Sequence, residues 1–203
     1  MKTTIQESLS KSYTYSEYRA IVSNLLAEGK SSGNEQSEEL THYSSLNEAR
    51  MNRLDKTMKV PVEISQKLEL LDKEYIWLVL AEGWCGDAAQ LLPIFHKMAT
   101  VPHKIELRIV FRDENDNLMN EFLTNGARAI PKLLILEKET LELVGTWGPR
   151  PKGAADLIKN YKAQFGLVDE TAKTELQLWY LHDKGFSTQE ELITLMLSLV
   201  LEL

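Results

Sequence analysis

The stretch Tyr75-Ile76-Trp77-Leu78-Val79-Leu80-Ala81-Glu82-Gly83-Trp84-Cys85-Gly86-Asp87-Ala88 decides the fold. From Tyr75 to Leu80 it is a continuous apolar run, which suits a central strand covered on both faces. Residues 86–99 follow as a helix, so Cys85 stands at a strand–helix junction. Unpaired amides and the positive end of the helix macrodipole favour a thiolate at that place. A cysteine there also serves as a small buried hydrophobe. The residues alone leave both roles open.

Downstream, His103 to Phe111 alternates, with Ile105, Leu107, Ile109 and Phe111 on one side, and reads as a strand. A short helix is expected around 115–123. Strands Lys132–Leu136 and Leu141–Val144 follow, joined by the charged turn Glu137-Lys138-Glu139-Thr140, and Pro151–Phe165 is a closing helix with Gly166 behind it. The order is strand–helix–strand–helix–strand–strand–helix, an α/β arrangement ending in a hairpin.

Upstream, the first 70 residues read as helical. Thr14-Tyr15-Ser16-Glu17 is a capping box. Behind it Tyr18, Ile21, Val22, Leu25 and Leu26 share a face, and Gly29 ends the segment. Residues 30–38 read as a polar linker. A second helix runs to about Met58, with Leu40, Tyr43, Leu46, Met51 and Leu54 as its expected inner face. A third starts after Pro61 and carries Ile64, Leu68 and Leu71. At the other end, helices are expected at 170–183 and 188–202, the second opened by the capping box Ser187-Thr188-Gln189-Glu190. In that helix Glu190, Thr194, Ser198 and Glu202 form a narrow polar stripe, and Ile193, Leu195, Met196, Leu197, Val200 and Leu201 cover the rest. Such a helix needs burial within the monomer or against a second copy, so a homodimer through it is one expectation.

The stretch around Cys85 resembles the thioredoxin family. Trp84-Cys85-Gly86 matches the start of that family's Trp-Cys-Gly-Pro-Cys motif, and Pro93, eight residues after Cys85, matches its helix-kinking proline. Ile130-Pro131, with Pro131 46 residues after Cys85, matches the separation between the family's first cysteine and its cis-proline, and Gly145 matches the glycine of its last strand. The resemblance implies an α/β, thioredoxin-like three-layer fold with a central mixed sheet over residues 72–166. It is flanked by helical extensions at 1–71 and 167–203. It further implies a cis Pro131, and a substrate groove formed by Trp84, Gly86, Asp87, Ile130 and Pro131 beside Cys85, with the Ile130 backbone pairing to an extended peptide.

The departures bear on function. Asp87 replaces the motif's proline, Ala88 stands where the second cysteine would be, and Val79 occupies the place of the family's buried acid. A dithiol cycle cannot run within one chain that has a single cysteine. Asp87 also opposes thiolate formation. Arg128, three residues before Pro131, is a candidate to offset it, although a solvated loop charge is its simpler state. The loop Trp147-Gly148-Pro149-Arg150-Pro151 either shapes the groove or is a rigid turn before the closing helix.

Elsewhere the sequence is quieter. His42, His96, His103 and His182 are scattered, so no metal site is read, and no cofactor is inferred. Asp113-Glu114-Asn115-Asp116-Asn117 resembles a calcium loop in composition only and reads as a polar turn with a helix cap. Arg50, Arg53, Lys56 and Lys59 form a basic stretch that either receives an acidic partner or, as the simpler reading, is a solvated helix face. A net charge of −7 over 203 residues argues against nucleic acid or an anionic membrane as main partner. No apolar run is long enough to span a bilayer and the first residues show no secretory signal, so a cytoplasmic location is expected. Two functions follow. In the first, Cys85 exchanges with a protein or low-molecular-weight thiol or disulfide, resolved by a thiol from another molecule. In the second, the fold is a redox-inactive interaction module. A peroxidatic role ranks below both, because Glu82 stands where that motif has threonine.

Overall fold

The apolar run forms strand β1 (Tyr75–Ala81), buried along its whole length because it has a neighbour on each side. β2 (Ile105–Phe111) pairs with it in parallel, Val79 opposite Ile109. β3 (Lys132–Glu137) pairs antiparallel on the other side, Val79 opposite Leu133. β4 (Leu143–Trp147) completes a mixed sheet of order β2-β1-β3-β4. The computed structural model describes residues 1–101 and 103–201. β4 begins two residues later than the sequence pattern predicts, because Leu141 takes a φ of 56° and belongs to the turn.

A parallel neighbour requires a crossover, and helix α5 (Gly86–Ala99) supplies it between β1 and β2. Aromatic edges lock this helix to the sheet. Phe95 lies 6.2 Å from the ring of Trp77 on β1 and 5.7 Å from that of Trp147 on β4. These contacts bury large apolar areas and add directional aromatic attraction.

Four helices precede the sheet: α1 (Lys2–Ser10), α2 (Tyr15–Ala27), α3 (Glu38–Thr57) and α4 (Val62–Glu69). The Thr14–Glu17 capping box opens α2 with both reciprocal bonds made. Tyr13 bridges to Ile109 through two backbone hydrogen bonds of 2.8 Å, covering part of the otherwise free edge of β2. Residues 30–38 link α2 to α3 as expected and are exposed from 34 to 38, but the linker is not solvated throughout. Ser31 and Ser32 are buried, because Ser32 serves the β1–α5 corner. Helix α3 packs along α5, and its orientation differs from the predicted one. Met51 and Leu54 face inward together with Ser44 and Asn47, whereas Leu40 and Tyr43 are half-buried and Leu46 is 40% exposed. Asn47 is drawn inward to bond a backbone carbonyl at the corner, which turns its neighbour Leu46 outward.

After the short α6 (Asp116–Glu121), three helices close the chain: α7 (Lys152–Phe165), α8 (Glu170–Asp183) and α9 (Phe186–Leu201). The predicted capping box at Ser187 is not formed. Helix α9 starts at Phe186, the Ser187 amide donates to Asp183, and Thr188 and Gln189 are buried. The α8–α9 turn needs Gly185, whose φ is +78°. A Cβ there would lie 2.8 Å from Ile94 Cδ1 and 2.9 Å from Met58 Cε. Helix α9 packs on α4, α5 and β4, with Ile193 and Met196 buried and Thr194 and Ser198 exposed. Glu202 and the side chains of Val200 and Leu201 lie outside the described residues. Among the described residues no helix is long and apolar enough to cross a membrane.

Candidate functional site

Cys85 is the N-cap of α5, in extended conformation, so its side chain turns back over the first helical turn. Sγ accepts from the Ala88 amide at 3.5 Å and donates to the Ile130 carbonyl at 3.4 Å. The residue is 8% exposed. Burial, seconded by the charge of Asp87, pushes its thiol up to about 12, against the smaller opposing pull of the Ala88 and Asp87 amides and of Arg150. At neutral pH the thiol is protonated, and the helix dipole does not outweigh desolvation.

Asp87 does not pair with Arg128, which sits on the surface against Asp116. Its partners are Arg150, whose Nη2 lies 2.6 Å from Oδ2, and Tyr180, whose hydroxyl donates to Oδ1 at 2.8 Å. Burial holds the Tyr180 phenol well above its ordinary value, and the carboxylate it serves adds to this. Arg150 reaches the corner because its loop lies against the strand start: Gly148, at φ +112°, leaves no room for a Cβ, which would fall 2.4 Å from the Pro131 carbonyl oxygen. Both Ile130–Pro131 and Gly148–Pro149 are cis peptides.

On the other side of the corner is a second buried acid, Glu82, with no exposed surface. It accepts from the Ser32 hydroxyl and, at 3.0 Å, from the Asp113 amide. Burial raises its pKa although both bonds oppose the shift. Ser32 also accepts from the Gly83 amide at 2.8 Å, and Asn47 donates to the Gly83 carbonyl at 2.9 Å. Trp84 lies half-buried under the Arg112 guanidinium, 5.0 Å from its ring centroid.

Above the corner a cleft of about 600 Å³ opens between α3 and α8. Trp84, Cys85, Gly86, Asp87 and Arg150 line its floor, Leu40, Tyr43, Leu46 and Arg50 one wall, and Glu170, Lys173, Thr174, Leu176 and Gln177 the other. The structure therefore brings four of the six residues singled out from sequence to one surface. Ile130 and Pro131 are buried behind the thiol and do not line this cleft. The Ile130 carbonyl, expected to meet a peptide, accepts from Cys85. Arg150 lay within a loop that the sequence left between two roles, and Arg50 within a stretch taken as solvated. Asn47, Tyr180 and Ser32 carried no sequence signal, because each acts through a tertiary hydrogen bond. Among the described residues no three His, Cys, Asp or Glu side chains converge to hold a metal.

Comparison with known proteins agrees with this architecture. No curated protein matches the chain. Among solved structures, a protein of unknown function from Pseudomonas aeruginosa superposes with a TM-score of 0.59 at 17% identity, over 92% of this chain and 98% of that one. An HIV epitope scaffold superposes with a TM-score of 0.57 at 19% identity, over 92% and 99%. At these identities the likeness speaks for the fold alone. A family model described as thioredoxin matches residues 33–162, more than half of the chain. The chain belongs to the thioredoxin family.

Proposed function

We propose that this protein is a ligand-binding member of its family, in which the cleft over Cys85 receives a partner molecule and the thiol itself does not exchange. The observation that carries this is the condition of Cys85: buried, bonded to Ile130, and two residues from a carboxylate held in an ion pair. A nucleophilic thiol needs access and a favoured thiolate, and this corner opposes both. A lone protonated thiol has no need of an oxidising compartment, which suits a cytoplasmic setting. The apolar face of α9 is engaged within the chain, which weighs against a homodimer through that helix.

Monothiol exchange is the second reading, favoured by one observation: Cys85 lines the cleft floor beside Trp84. In that chemistry the Cys85 thiolate attacks a disulfide sulfur, the other sulfur leaves as thiolate, and an external thiol later releases the mixed disulfide.

Alkylation of Cys85 by iodoacetamide against pH, native beside urea-unfolded, separates the two. A thiol near 12 against an unfolded reference near 8.5 gives native modification at pH 8 at least about a hundredfold slower than in the unfolded chain. Fast native reaction titrating near neutrality would replace the closed-thiol reading with exchange.

A further inference from the structure

We infer that the α3–α8 cleft is built for a small monocarboxylate with an apolar body, and that Arg50 is its anchor. The inference rests on the cleft being a ligand site, and adds the chemistry of the ligand. Three cations line the cleft, and two are already engaged: Arg150 with Asp87, and Lys173 with Glu170 at 2.6 Å. Arg50 is different. Among the described residues no carboxylate lies within ion-pair distance of it, and its side-chain hydrogen bond runs from Nη1 to Asn47 Oδ1 at 2.6 Å. It is half-buried, and burial followed by the charge of Arg53 lowers its pKa, so its charge is poorly compensated where it stands.

Its position sharpens the point. A Cβ built on Gly86 would lie 3.9 Å from Arg50 Nη1, so the guanidinium sits over the first turn of α5. That turn carries the positive end of the helix dipole, although its Ala88 amide is already given to Cys85 Sγ. The carboxylate that would ordinarily answer such a field, Asp87, is turned away toward Arg150 and Tyr180. An incoming carboxylate would meet the planar guanidinium, which binds such groups in two parallel bonds. The rest of the ligand would lie along Leu40, Leu46 and Leu176, apolar side chains that the cleft leaves partly uncovered or lining its walls. A volume of about 600 Å³ suits a small organic molecule. In a chain of net charge −7, attraction of the anion has to be local, and Arg50 supplies it.

Decanoate is the probe, titrated by calorimetry into the intact chain, with amide shifts of Gly86 and the Trp84 indole locating it. The expected result is saturable one-site binding, at least about tenfold weaker in Arg50→Gln and for decanol in place of decanoate. Arg50→Lys should fall between, and Arg53→Gln should stay within about twofold, since Arg53 is exposed outside the cleft. Thermal melts of each variant exclude loss through unfolding. Absence of saturation, equal binding by Arg50→Gln, or decanol matching decanoate would each overturn the anchor. The alkylation experiment fails separately. Fast alkylation with Arg50-dependent binding would overturn the closed thiol and leave the anchor, whereas slow alkylation without binding would do the reverse.

Discussion

The floor of the cleft and its α3 wall are built on opposite plans. On the floor, Asp87 is matched with Arg150 and Tyr180 and Cys85 with Ile130, and on the other side of the corner Glu82 is matched with Ser32 and the Asp113 amide. On the α3 wall, Leu46 is 40% exposed and, among the described residues, no carboxylate pairs with Arg50. The floor's polar groups bond to one another and to nearby backbone, which on the closed-thiol proposal keeps Cys85 from exchanging. On our proposal, the wall's apolar surface and its cation are what the ligand meets.

The hardest test of that contrast is Asp87→Ala. It leaves Arg150 and Tyr180 without their partner in a mostly buried place, and breaking such a pair costs about 3 kcal/mol. The same change removes a negative charge beside Cys85 and leaves the positive charge of Arg150, so the thiol pKa should fall. Urea unfolding and native alkylation should therefore move together, lower stability with faster modification. A variant as stable as the parent would mean that the floor is not closed by this network.

Glu82→Gln sharpens the comparison through pH. The folded-state pKa of Glu82 lies above its unfolded value. The native state thus holds the proton more tightly, and the stability associated with this group is greatest below the unfolded pKa. It declines as pH rises through the raised folded pKa. Gln cannot ionise and still offers the Asp113 amide an acceptor, so the variant should lose that decline while staying within about 1 kcal/mol of the parent at acidic pH. Melting temperature against pH, variant beside parent, checks it. Parallel curves would show that Glu82 does not titrate over the range measured.

How far the chain could be read from its sequence follows the same division. The run Tyr75–Ala81 is apolar because it is covered from both sides, so its composition reports its place directly. Cys85, Gly86 and Asp87 were placed at the corner by the strand-to-helix pattern, and singled out as a site through the resemblance of Trp84-Cys85-Gly86 to the family motif. The α3 wall was misread. Periodicity identified an apolar face with Leu40, Tyr43 and Leu46, but it does not say what covers that face. The face turned inward carries Met51 and Leu54 together with Asn47, whose tertiary bond to Gly83 periodicity does not show. Ser31 and Ser32 were taken for linker because polarity at a sequence position cannot distinguish solvent from a buried acceptor such as Glu82. Arg150 meets Asp87 across 63 residues, in a loop placed by the close approach of Gly148 to Pro131. No local rule contains that distance.

A small expected effect on stability is the most informative about the wall. Leu46 is 40% exposed on α3, so Leu46→Ser gives up only part of a leucine's burial and should shift unfolding by about 1 kcal/mol. A residue that matters only to the fold would then leave binding unchanged. If the wall is a binding surface, the same substitution removes apolar contact from a decanoate chain anchored on Arg50, and affinity should drop severalfold while the decanol control loses a similar share. The charge-dependent difference between decanoate and decanol should persist, because Arg50 is untouched. Calorimetry on this one variant therefore separates the apolar contribution of the wall from its electrostatic one. If binding is unchanged, the ligand does not run along α3, and the exposed leucine is ordinary surface.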